Sequence, residues 1–360
     1  MSSRISAAVA ASIIVTLAGC SGATQSNLTP ANGLNQSGVH ALRPSSITRV
    51  RIHEFVLPNS GSQPLGIAAG PDGGVWFTEI AGNRIGRITY HGAISEFTLP
   101  HSGSSPVFIA AGPDGNMWFT EGSGNAIGRI TPQGAITEFS SGLSANSSPN
   151  GITATTNALW FTEVGEYPNG IKIGKITTAG TITRQYQIPT AYNSNPQNLA
   201  FGADGKLWFA EANAGNAIGR VGRFTGNFAI YQSGLSTAAW PQDIAAGPDG
   251  NMWFTESGQT ARIGKITKTG TITEFSSGIS GCGCNYNLYG IAAGSDGNLW
   301  FTETATNKVA RITTDGTVTE FSKGLSASGG PLGITAGPRG TLWFTEGAGN
   351  RIGRIQLTAQ

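Results

Sequence analysis

Short runs of apolar residues, separated by glycine-containing turns, recur along most of the chain. Residues 66–97 form one such unit, in which four short segments are separated by turns such as Pro71-Asp72-Gly73. An Asp-Gly pair tolerates the positive φ of a tight hairpin, so the pattern predicts four antiparallel strands in sequence. The first segment is rich in small residues, which suits a crowded inner strand.

The unit is repeated seven times. Each copy carries Trp-Phe-Thr-Glu or, once, Trp-Phe-Ala-Glu, at intervals of 42 to 48 residues. A period of roughly 40–45 residues with four short strands is typical of a propeller blade. Large aromatic side chains fill interfaces between sheets, so we expect the repeated tryptophans to pack between blades. They are Trp76, Trp118, Trp160, Trp208, Trp253, Trp300 and Trp343.

The two ends of the repeat array are complementary. The seventh repeat stops after its third segment, residues 351–355, and the missing segment stands before the first repeat as Ile52-His53-Glu54-Phe55. Closing the ring in this way removes the exposed strand edges of an open array. We therefore predict an all-β, seven-bladed propeller of four-stranded antiparallel blades over residues 48–360, with the last blade completed by the N-terminal strand.

The first 47 residues have a different character. After Arg4 the chain is apolar from Ile5 to Ala18 and reaches Leu17-Ala18-Gly19-Cys20, which resembles a bacterial lipoprotein cleavage box. We predict a signal peptide over residues 1–19, a lipidated Cys20 and a flexible Ser- and Asn-rich tether over residues 20–47. The membrane would then be a partner through the lipid, and the protein would lie in the cell envelope, on its periplasmic or outer side. An ordinary signal peptide that contains a cysteine is the alternative.

The composition of the chain argues against one class of function. Charged residues make up 12% of the chain, the formal net charge is +2 and glycine accounts for 53 of 360 residues. This low, balanced charge argues against a nucleic-acid partner. We expect a monomer.

The repeat resembles that of the streptogramin B lyase (virginiamycin B lyase) family. The motifs that carry the resemblance are Gly-Ile-x-x-Gly-x-Asp-Gly-x-x-Trp-Phe-Thr-Glu, Gly-Asn-x-Ile-Gly-Arg-Ile-Thr and Ile-Thr-Glu-Phe, and they extend over all seven repeats. The resemblance implies a seven-bladed propeller that linearises cyclic depsipeptide antibiotics. It further implies elimination across an ester C–O bond, with a magnesium ion and a histidine base.

The chain departs from the family at the positions of the lyase histidines. Those positions are Tyr289 and Leu332 here, and Gly330 replaces a metal-binding glutamate. Of the family's site, a carboxylate matched by Glu346 remains. Tyrosine, with an ordinary pKa near 10, is a poor base at neutral pH. Tyr289 and Glu346 are thus the weak catalytic candidates, and Glu346 with Glu303 are the candidate ligands of a magnesium ion.

The glutamate that ends each Trp-Phe-Thr-Glu segment allows two interpretations. A ring of seven carboxylates could form a cation site, or each carboxylate could pair with a cation on the neighbouring strand, which we favour. The glutamates are Glu79, Glu121, Glu163, Glu211, Glu256, Glu303 and Glu346. The cations are Arg87, Arg129, Lys175, Arg220, Lys265, Arg311 and Arg354.

A site that exists once should appear where the repeat is irregular. The irregular positions lie at the segments that enter each first strand, and rims of this kind bind sugars, peptides or macrocycles. The candidate ligand-binding residues are Phe108, Tyr192, Trp240, Asp243, Tyr286 and Tyr289. His101 is the one histidine that these loops would present to a ligand. Cys282 and Cys284 lie in such a loop, and an oxidising compartment would favour a disulfide between them.

Three functions follow from these observations. The first is an envelope-anchored, lyase-like propeller that binds a small molecule, glycan, peptide or other partner on the loop face. The second is a magnesium-dependent carbon–oxygen lyase with a rearranged site, and the third is a structural module of the envelope. The absent histidines favour the first over the second.

Overall fold

A computed structural model of the protein describes residues 47–165, 171–189, 194–213, 216–222, 225–281, 283 and 287–359. These residues form seven four-stranded antiparallel sheets, one for each repeat, and a single 3₁₀ turn at Pro338–Gly340. No helix in this part of the chain is long and apolar enough to span a bilayer. The predicted fold class is confirmed.

The strands are numbered in chain order, beginning with β1 (Ile47–Val56). Blade 1 contains β2 (Pro64–Ala69), β3 (Val75–Glu79), β4 (Arg84–Ile88) and β5 (Ile94–Thr98). Blade 2 contains β6 (Pro106–Ala111), β7 (Met117–Glu121), β8 (Ala126–Ile130) and β9 (Ile136–Phe139). Blade 3 contains β10 (Pro149–Ala154), β11 (Ala158–Val164), β12 (Ile171–Thr177) and β13 (Ile182–Gln187). Blade 4 contains β14 (Ser194–Phe201), β15 (Leu207–Asn213), β16 (Ala217–Val221) and β17 (Phe228–Tyr231).

Blade 5 contains β18 (Pro241–Ala246), β19 (Met252–Glu256), β20 (Arg262–Ile266) and β21 (Ile272–Phe275). Blade 6 contains β22 (Leu288–Ala293), β23 (Leu299–Glu303), β24 (Lys308–Ile312) and β25 (Val318–Phe321). Blade 7 contains β26 (Pro331–Ala336), β27 (Leu342–Glu346), β28 (Arg351–Ala359) and, as its outer strand, β1. We call the face that carries the loops between consecutive blades the crossover face, and the opposite one the far face.

The repeated aromatic residues hold the blades together. Trp76 is fully buried and packs with Ile109 and Phe119 of blade 2, which confirms the prediction that the tryptophans lie between blades. On the other side of its strand, the Phe77 ring lies over Gly86, where a Cβ atom would come within 2.1 Å of the ring. Glycine is required there because the ring occupies the space of a side chain.

Buried threonines join each blade to the next. The Thr78 hydroxyl accepts a hydrogen bond from the Gly66 amide (2.9 Å) and donates one to the Val107 carbonyl of the following blade (2.7 Å). Thr120, Thr162, Thr255, Thr302 and Thr345 make the same bridge. These bonds satisfy buried backbone groups that no sheet ladder reaches.

The N-terminal strand closes the ring as predicted. β1 pairs antiparallel with β28, with Ile52 opposite Ile355 and Phe55 opposite Ile352. Phe55 stacks on Trp343, with ring centroids 5.7 Å apart, as Phe97 stacks on Trp76 in blade 1. The last blade therefore has the same four-stranded structure as the others, although its strands come from two distant parts of the chain.

Candidate functional site

The innermost strands surround the propeller axis, and each presents near the crossover face the residue that follows its proline or, in blade 6, Leu288. The first strands contact one another in a closed ring. We call these seven residues the axial floor: Leu65, Val107, Asn150, Gln197, Gln242, Tyr289 and Leu332. Of this set, Tyr289 and Leu332 are predicted site positions, whereas the ring as a whole is not predicted from the sequence.

The axial floor has two chemically different halves. Leu65, Tyr289 and Leu332 pack with Phe108 in one apolar cluster that spans five blades. On the other side, the Asn150 and Gln242 amides both donate to Oε1 of Gln197, at 3.3 and 3.0 Å. Side chains therefore close the axis, and one half of the closure consists of carboxamides.

Tyr289 and Phe108 serve this closure. The Tyr289 side chain is 7% exposed, and its hydroxyl meets the Gln242 amide. Burial and the nearby Asp243 carboxylate raise the pKa of the Tyr289 hydroxyl above its ordinary value. A phenol that holds its proton more strongly cannot act as a base at neutral pH. Phe108 is also buried, so neither residue forms part of an open aromatic rim.

Asp243 is buried beside the floor and links three blades. Its Oδ1 accepts hydrogen bonds from Asn198 of blade 4 (2.7 Å) and from its neighbour Ile244 (2.8 Å), and its Oδ2 accepts from the Ile291 amide of blade 6 (3.0 Å). Burial raises the pKa of Asp243 to about 6, and these bonds oppose the rise.

The sequence of blade 4 indicates where the Asp243 link is needed. Blade 4 carries Ala210 where the other blades carry the bridging threonine, so the hydroxyl bridge to blade 5 is missing there. The Asn198–Asp243 bond joins the same two blades. The irregular Trp-Phe-Ala-Glu motif thus explains why Asp243 is needed, as a structural residue.

Trp240 differs from the other candidates because its backbone is strained. It directly precedes β18 and has φ of +53°, as Gln63, Ser105 and Ser148 have at the matching positions of other blades. Blade 7 places Gly330 (φ +60°) there. The loop requires a left-handed residue, and a bulky side chain in that conformation is an outlier. The Trp240 carbonyl accepts hydrogen bonds from the amide and the hydroxyl of Ser257, which fix this geometry.

The ring glutamates are fully buried, and their partners differ from the predicted ones. The predicted cations instead lie over the repeated tryptophans, 5.0 to 5.9 Å from the ring centroids. The pairing prediction was wrong because the strand register sets Arg87 opposite Trp76 and leaves Glu79 opposite Arg84.

In five blades the ring glutamate instead faces a glutamate of the fourth strand. The pairs are Glu79–Glu96, Glu121–Glu138, Glu256–Glu274, Glu303–Glu320 and Glu346–Glu54. Burial, then the facing carboxylate, raise the pKa of Glu256 to about 9 and that of Glu303 and Glu346 to about 8. In the pairs of Glu121, Glu256, Glu303 and Glu346 the protonated ring glutamate can donate to the partner carboxylate.

Glu320, the outer glutamate of the blade 6 pair, remains ionised. Glu320 accepts hydrogen bonds from the Ser280 amide and hydroxyl and from Lys308. Burial raises the pKa of Glu320, but the hydrogen bonds from Lys308 and Ser280 outweigh burial and hold this pKa below its ordinary value. Blade 3 carries an amide in this place, and Gln185 donates to Glu163 at 3.0 Å.

The candidate magnesium ligands do not fit a metal site. Glu303 and Glu346 belong to two different proton-sharing pairs, and a Cβ atom at Gly329 would lie 2.6 Å from Oε1 of Glu346. The backbone thus covers this carboxyl group. In the part of the chain that the structure describes, no three His, Cys, Asp or Glu residues come together in a way that could hold a metal ion.

His101 lies exposed at the crossover face and contacts the Glu138 carboxylate through Nδ1. Blade 2 has Ala126 where blades 1, 5 and 7 have an arginine at the start of the third strand. The imidazole occupies the place of that missing cation. Tyr192, Tyr286, Cys20, Cys282 and Cys284 lie outside the described residues.

Taken together, these residues define a seven-bladed propeller with a closed axis and a strained tryptophan at its crossover face. Its sequence matches the profile of the Virginiamycin B lyase family over residues 44–232 and again over 172–360. The chain belongs to this family.

Solved structures agree with this assignment. A streptogramin B lyase is 35% identical, with a TM-score of 0.77, and the match covers 87% of this chain and 99% of that one. A catalytically inactive histidine-to-alanine variant of virginiamycin B lyase from Staphylococcus aureus, solved with quinupristin, is also 35% identical, with a TM-score of 0.76 and coverage of 86% and 100%. The hydrazine synthase of Kuenenia stuttgartiensis, at 16% identity, a TM-score of 0.66 and coverage of 84% and 97%, shares the fold alone.

Proposed function

We propose that this protein binds a peptide-like ligand on its crossover face, next to Trp240, and does not open it chemically. The observation that carries the proposal is the backbone of Trp240. A loop position that needs a left-handed residue is occupied by the bulkiest side chain, at a cost of about 1–3 kcal/mol. Since Gly330 fills the matching position without strain, a function of the indole explains why the tryptophan is kept.

The axial floor indicates the class of ligand. Its amide half can exchange hydrogen bonds with the peptide groups of a ligand, and its apolar half suits aliphatic and aromatic groups. Quinupristin is the appropriate first probe, because the related lyase variant was solved with it.

The acid–base groups argue against a lyase. Elimination needs a base within reach of the proton that it removes. The resemblance to the family assigns Tyr289 and Leu332 to the histidine positions. Leucine has no such chemistry, and the pKa of Tyr289 is raised by burial. The Staphylococcus aureus relative is inactive once a histidine is replaced by alanine.

The test combines binding with chemical analysis of the product. We expect quinupristin to bind saturably in isothermal titration calorimetry, with and without magnesium, and to remain cyclic. Elimination leaves the mass unchanged, so ring opening is followed by chromatography and fragment ions. Ring opening with turnover would contradict the proposal in favour of the lyase.

Substitution of Trp240 makes the test specific. Trp240→Gly should weaken binding at least tenfold and, by releasing backbone strain, raise the unfolding free energy by about 1 kcal/mol. Gln63→Gly is the matched control, since it relieves the same φ in blade 1 without removing an aromatic ring. If Trp240→Gly binds as tightly as the unchanged protein, the indole is not the contact. Absence of binding in both would favour a structural module.

We also propose that the protein is anchored in the cell envelope through a lipid on Cys20. Support comes from the Leu17-Ala18-Gly19-Cys20 sequence, which lies outside the described residues. Cys20→Ser should abolish the incorporation of radiolabelled palmitate into the protein, and unchanged labelling would refute the anchor.

A further inference from the structure

Two turns of the far face lack the aspartate of the repeat: blade 3 carries the uncharged Thr155-Thr156-Asn157, and blade 7 carries a cation. Between β26 and β27, blade 7 carries Pro338-Arg339-Gly340 where blade 1 carries Pro71-Asp72-Gly73. In blade 1 the Asp72 carboxylate accepts a hydrogen bond from the Trp76 indole and pairs with Arg87 at 2.6 Å. Blades 4 and 6 have corresponding pairs, Arg220–Asp204 and Arg311–Asp296.

Blade 7 replaces this carboxylate by a cation. Arg339 takes a left-handed conformation with φ of +58°, and the Trp343 indole donates instead to Thr341 at 2.9 Å. Arg354, which corresponds to Arg87, therefore has no aspartate at the turn of its own blade to pair with. No ion pair joins Arg339 or Arg354 to any described carboxylate.

Both guanidinium groups lie over the ring of Tyr90. The Cζ atom of Arg339 is 4.3 Å from the ring centroid and that of Arg354 is 4.8 Å from it. Nε of Arg354 is buried and has no hydrogen-bond partner in the described part of the protein. Two like charges at these distances from one ring centroid repel each other, and an anion bound beside them would weaken the repulsion.

The outer strand of the blade extends this cationic surface. Gln356 donates to the Tyr90 hydroxyl at 3.2 Å, and Arg51 stands opposite Gln356 in the β1–β28 ladder. Arg49, two residues earlier, points to the same side of the strand. Arg49, Arg51 and Arg339 are exposed. We call Arg49, Arg51, Arg339 and Arg354, arranged around Tyr90, the arginine patch.

The surrounding groups do not neutralise the patch. His53 lies opposite Arg354 on the same side of β1, and His91 contacts the Tyr90 ring edge-on, so both histidines would add positive charge when protonated. Glu54 points to the other side of β1 and faces Glu346. Asp72 is paired with Arg87.

We propose that the arginine patch binds the phosphate headgroups of an anionic phospholipid bilayer and turns the far face toward it. Guanidinium groups match phosphate oxygens in geometry and charge. The described chain begins at Ile47, at the far-face end of β1, and a 26-residue stretch separates it from Cys20. An anchor on Cys20 would thus hold the patch near the membrane, with the crossover face directed away from it.

The setting of this proposal rests on the proposed anchor, whereas headgroup binding does not. The test therefore uses residues 21–360, which lack both Cys20 and the apolar segment Ile5–Ala18, and phosphatidylcholine vesicles with or without phosphatidylglycerol. We expect co-sedimentation with the anionic vesicles alone, weakening as salt is added. Equal binding to neutral and anionic vesicles would overturn the proposal.

Variants locate the contact. Arg339→Asp restores the carboxylate of the other blades and should reduce vesicle binding at least tenfold, while Arg49→Gln with Arg51→Gln should reduce it several-fold. Lys206→Gln is the control, because Lys206 is an exposed cation on the far face of blade 4. Unchanged vesicle binding by Arg339→Asp would refute the site.

Free phosphate is the other source of the same chemistry. Inorganic phosphate, titrated alone by calorimetry, should bind the protein far more weakly than the vesicles do. Tight phosphate binding that Arg339→Asp abolishes, without vesicle binding, would replace the membrane by a soluble anion. Quinupristin binding at the crossover face is measured separately, so either proposal can fail without the other.

Discussion

At the scale of single residues, Asp243 shows how one irregular position depends on another. Six threonine hydroxyls bridge neighbouring blades, and the seventh bridge is lost at Ala210. The Asp243 carboxylate joins blades 4, 5 and 6 through three donors. A buried carboxylate with this many donors is a structural residue, and its substitution should affect stability before ligand binding.

Asp243→Asn should lower the unfolding free energy by about 2–4 kcal/mol, because an amide NH₂ would face a buried donor. Asp243→Gly together with Ala210→Thr should recover most of this loss, since blades 1, 3, 6 and 7 combine glycine with threonine at these positions. Urea unfolding measures this loss, and urea unfolding of Asp243→Gly, of Ala210→Thr and of the two combined measures the coupling. Additive effects would mean that the two bridges are independent.

At the scale of strands, the paired glutamates make blade stability depend on pH. Glu256 has a folded-state pKa of about 9, well above the ordinary carboxyl value. The folded state therefore holds a proton that the unfolded state has released. Each such carboxyl lowers the unfolding free energy by about 1.4 kcal/mol per pH unit as the pH rises from its unfolded pKa to its folded one.

Glu256→Gln should make the protein more stable at pH 8 and flatten the decline of stability between about pH 5 and pH 9. The amide can donate to Glu274 as the protonated carboxyl does, and blade 3 already combines an amide with a carboxyl at Gln185 and Glu163. Thermal unfolding at several pH values measures the change. Asp315→Asn is the control, because Asp315 is exposed and the hydrogen bond from Thr313 lowers its pKa. An unchanged pH profile in Glu256→Gln would contradict the shared proton.

Much of the strand arrangement could be predicted from the sequence, and the charge partners could not. Repeated turns and tryptophans locate all seven blades and the closing strand. The partner of Glu79 depends on the register of β3 and β4. The length of the turn at residues 80–83 determines this register and sets Glu79 opposite Arg84. Whether Trp240 or Asp243 faces the axis or the solvent depends on backbone angles and on missing hydroxyls elsewhere in the ring, which a local pattern does not contain.

At the scale of the whole molecule, stability depends on a ring whose two ends meet in one blade. Phe55 of β1 stacks on Trp343, and its ring lies within 2.3 Å of where a Cβ atom of Gly92 in blade 1 would be. The closing strand is thus held by the neighbouring blade as well as by β28. Loss of the Phe55 side chain should separate β1 from blade 7 before the other blades unfold.

Phe55→Ala should lower the unfolding free energy by about 2–3 kcal/mol and speed amide exchange in β1 and β28 most strongly. Phe97→Ala, the same position in blade 1, is the matched control and should speed exchange in its own blade. Hydrogen–deuterium exchange with mass spectrometry distinguishes the two. Faster exchange spread evenly over all blades would indicate that the ring unfolds as one unit.

The position of β1 also determines the order in which the protein can be completed during synthesis. The ribosome makes this strand before any blade, yet its partner β28 is made only after the strands of blades 1 to 6. Until then the nascent chain carries an unpaired strand edge at its head, which favours association with other chains. A holdase that covers residues 47–56 would therefore raise the yield of native protein more than one that acts on any later strand.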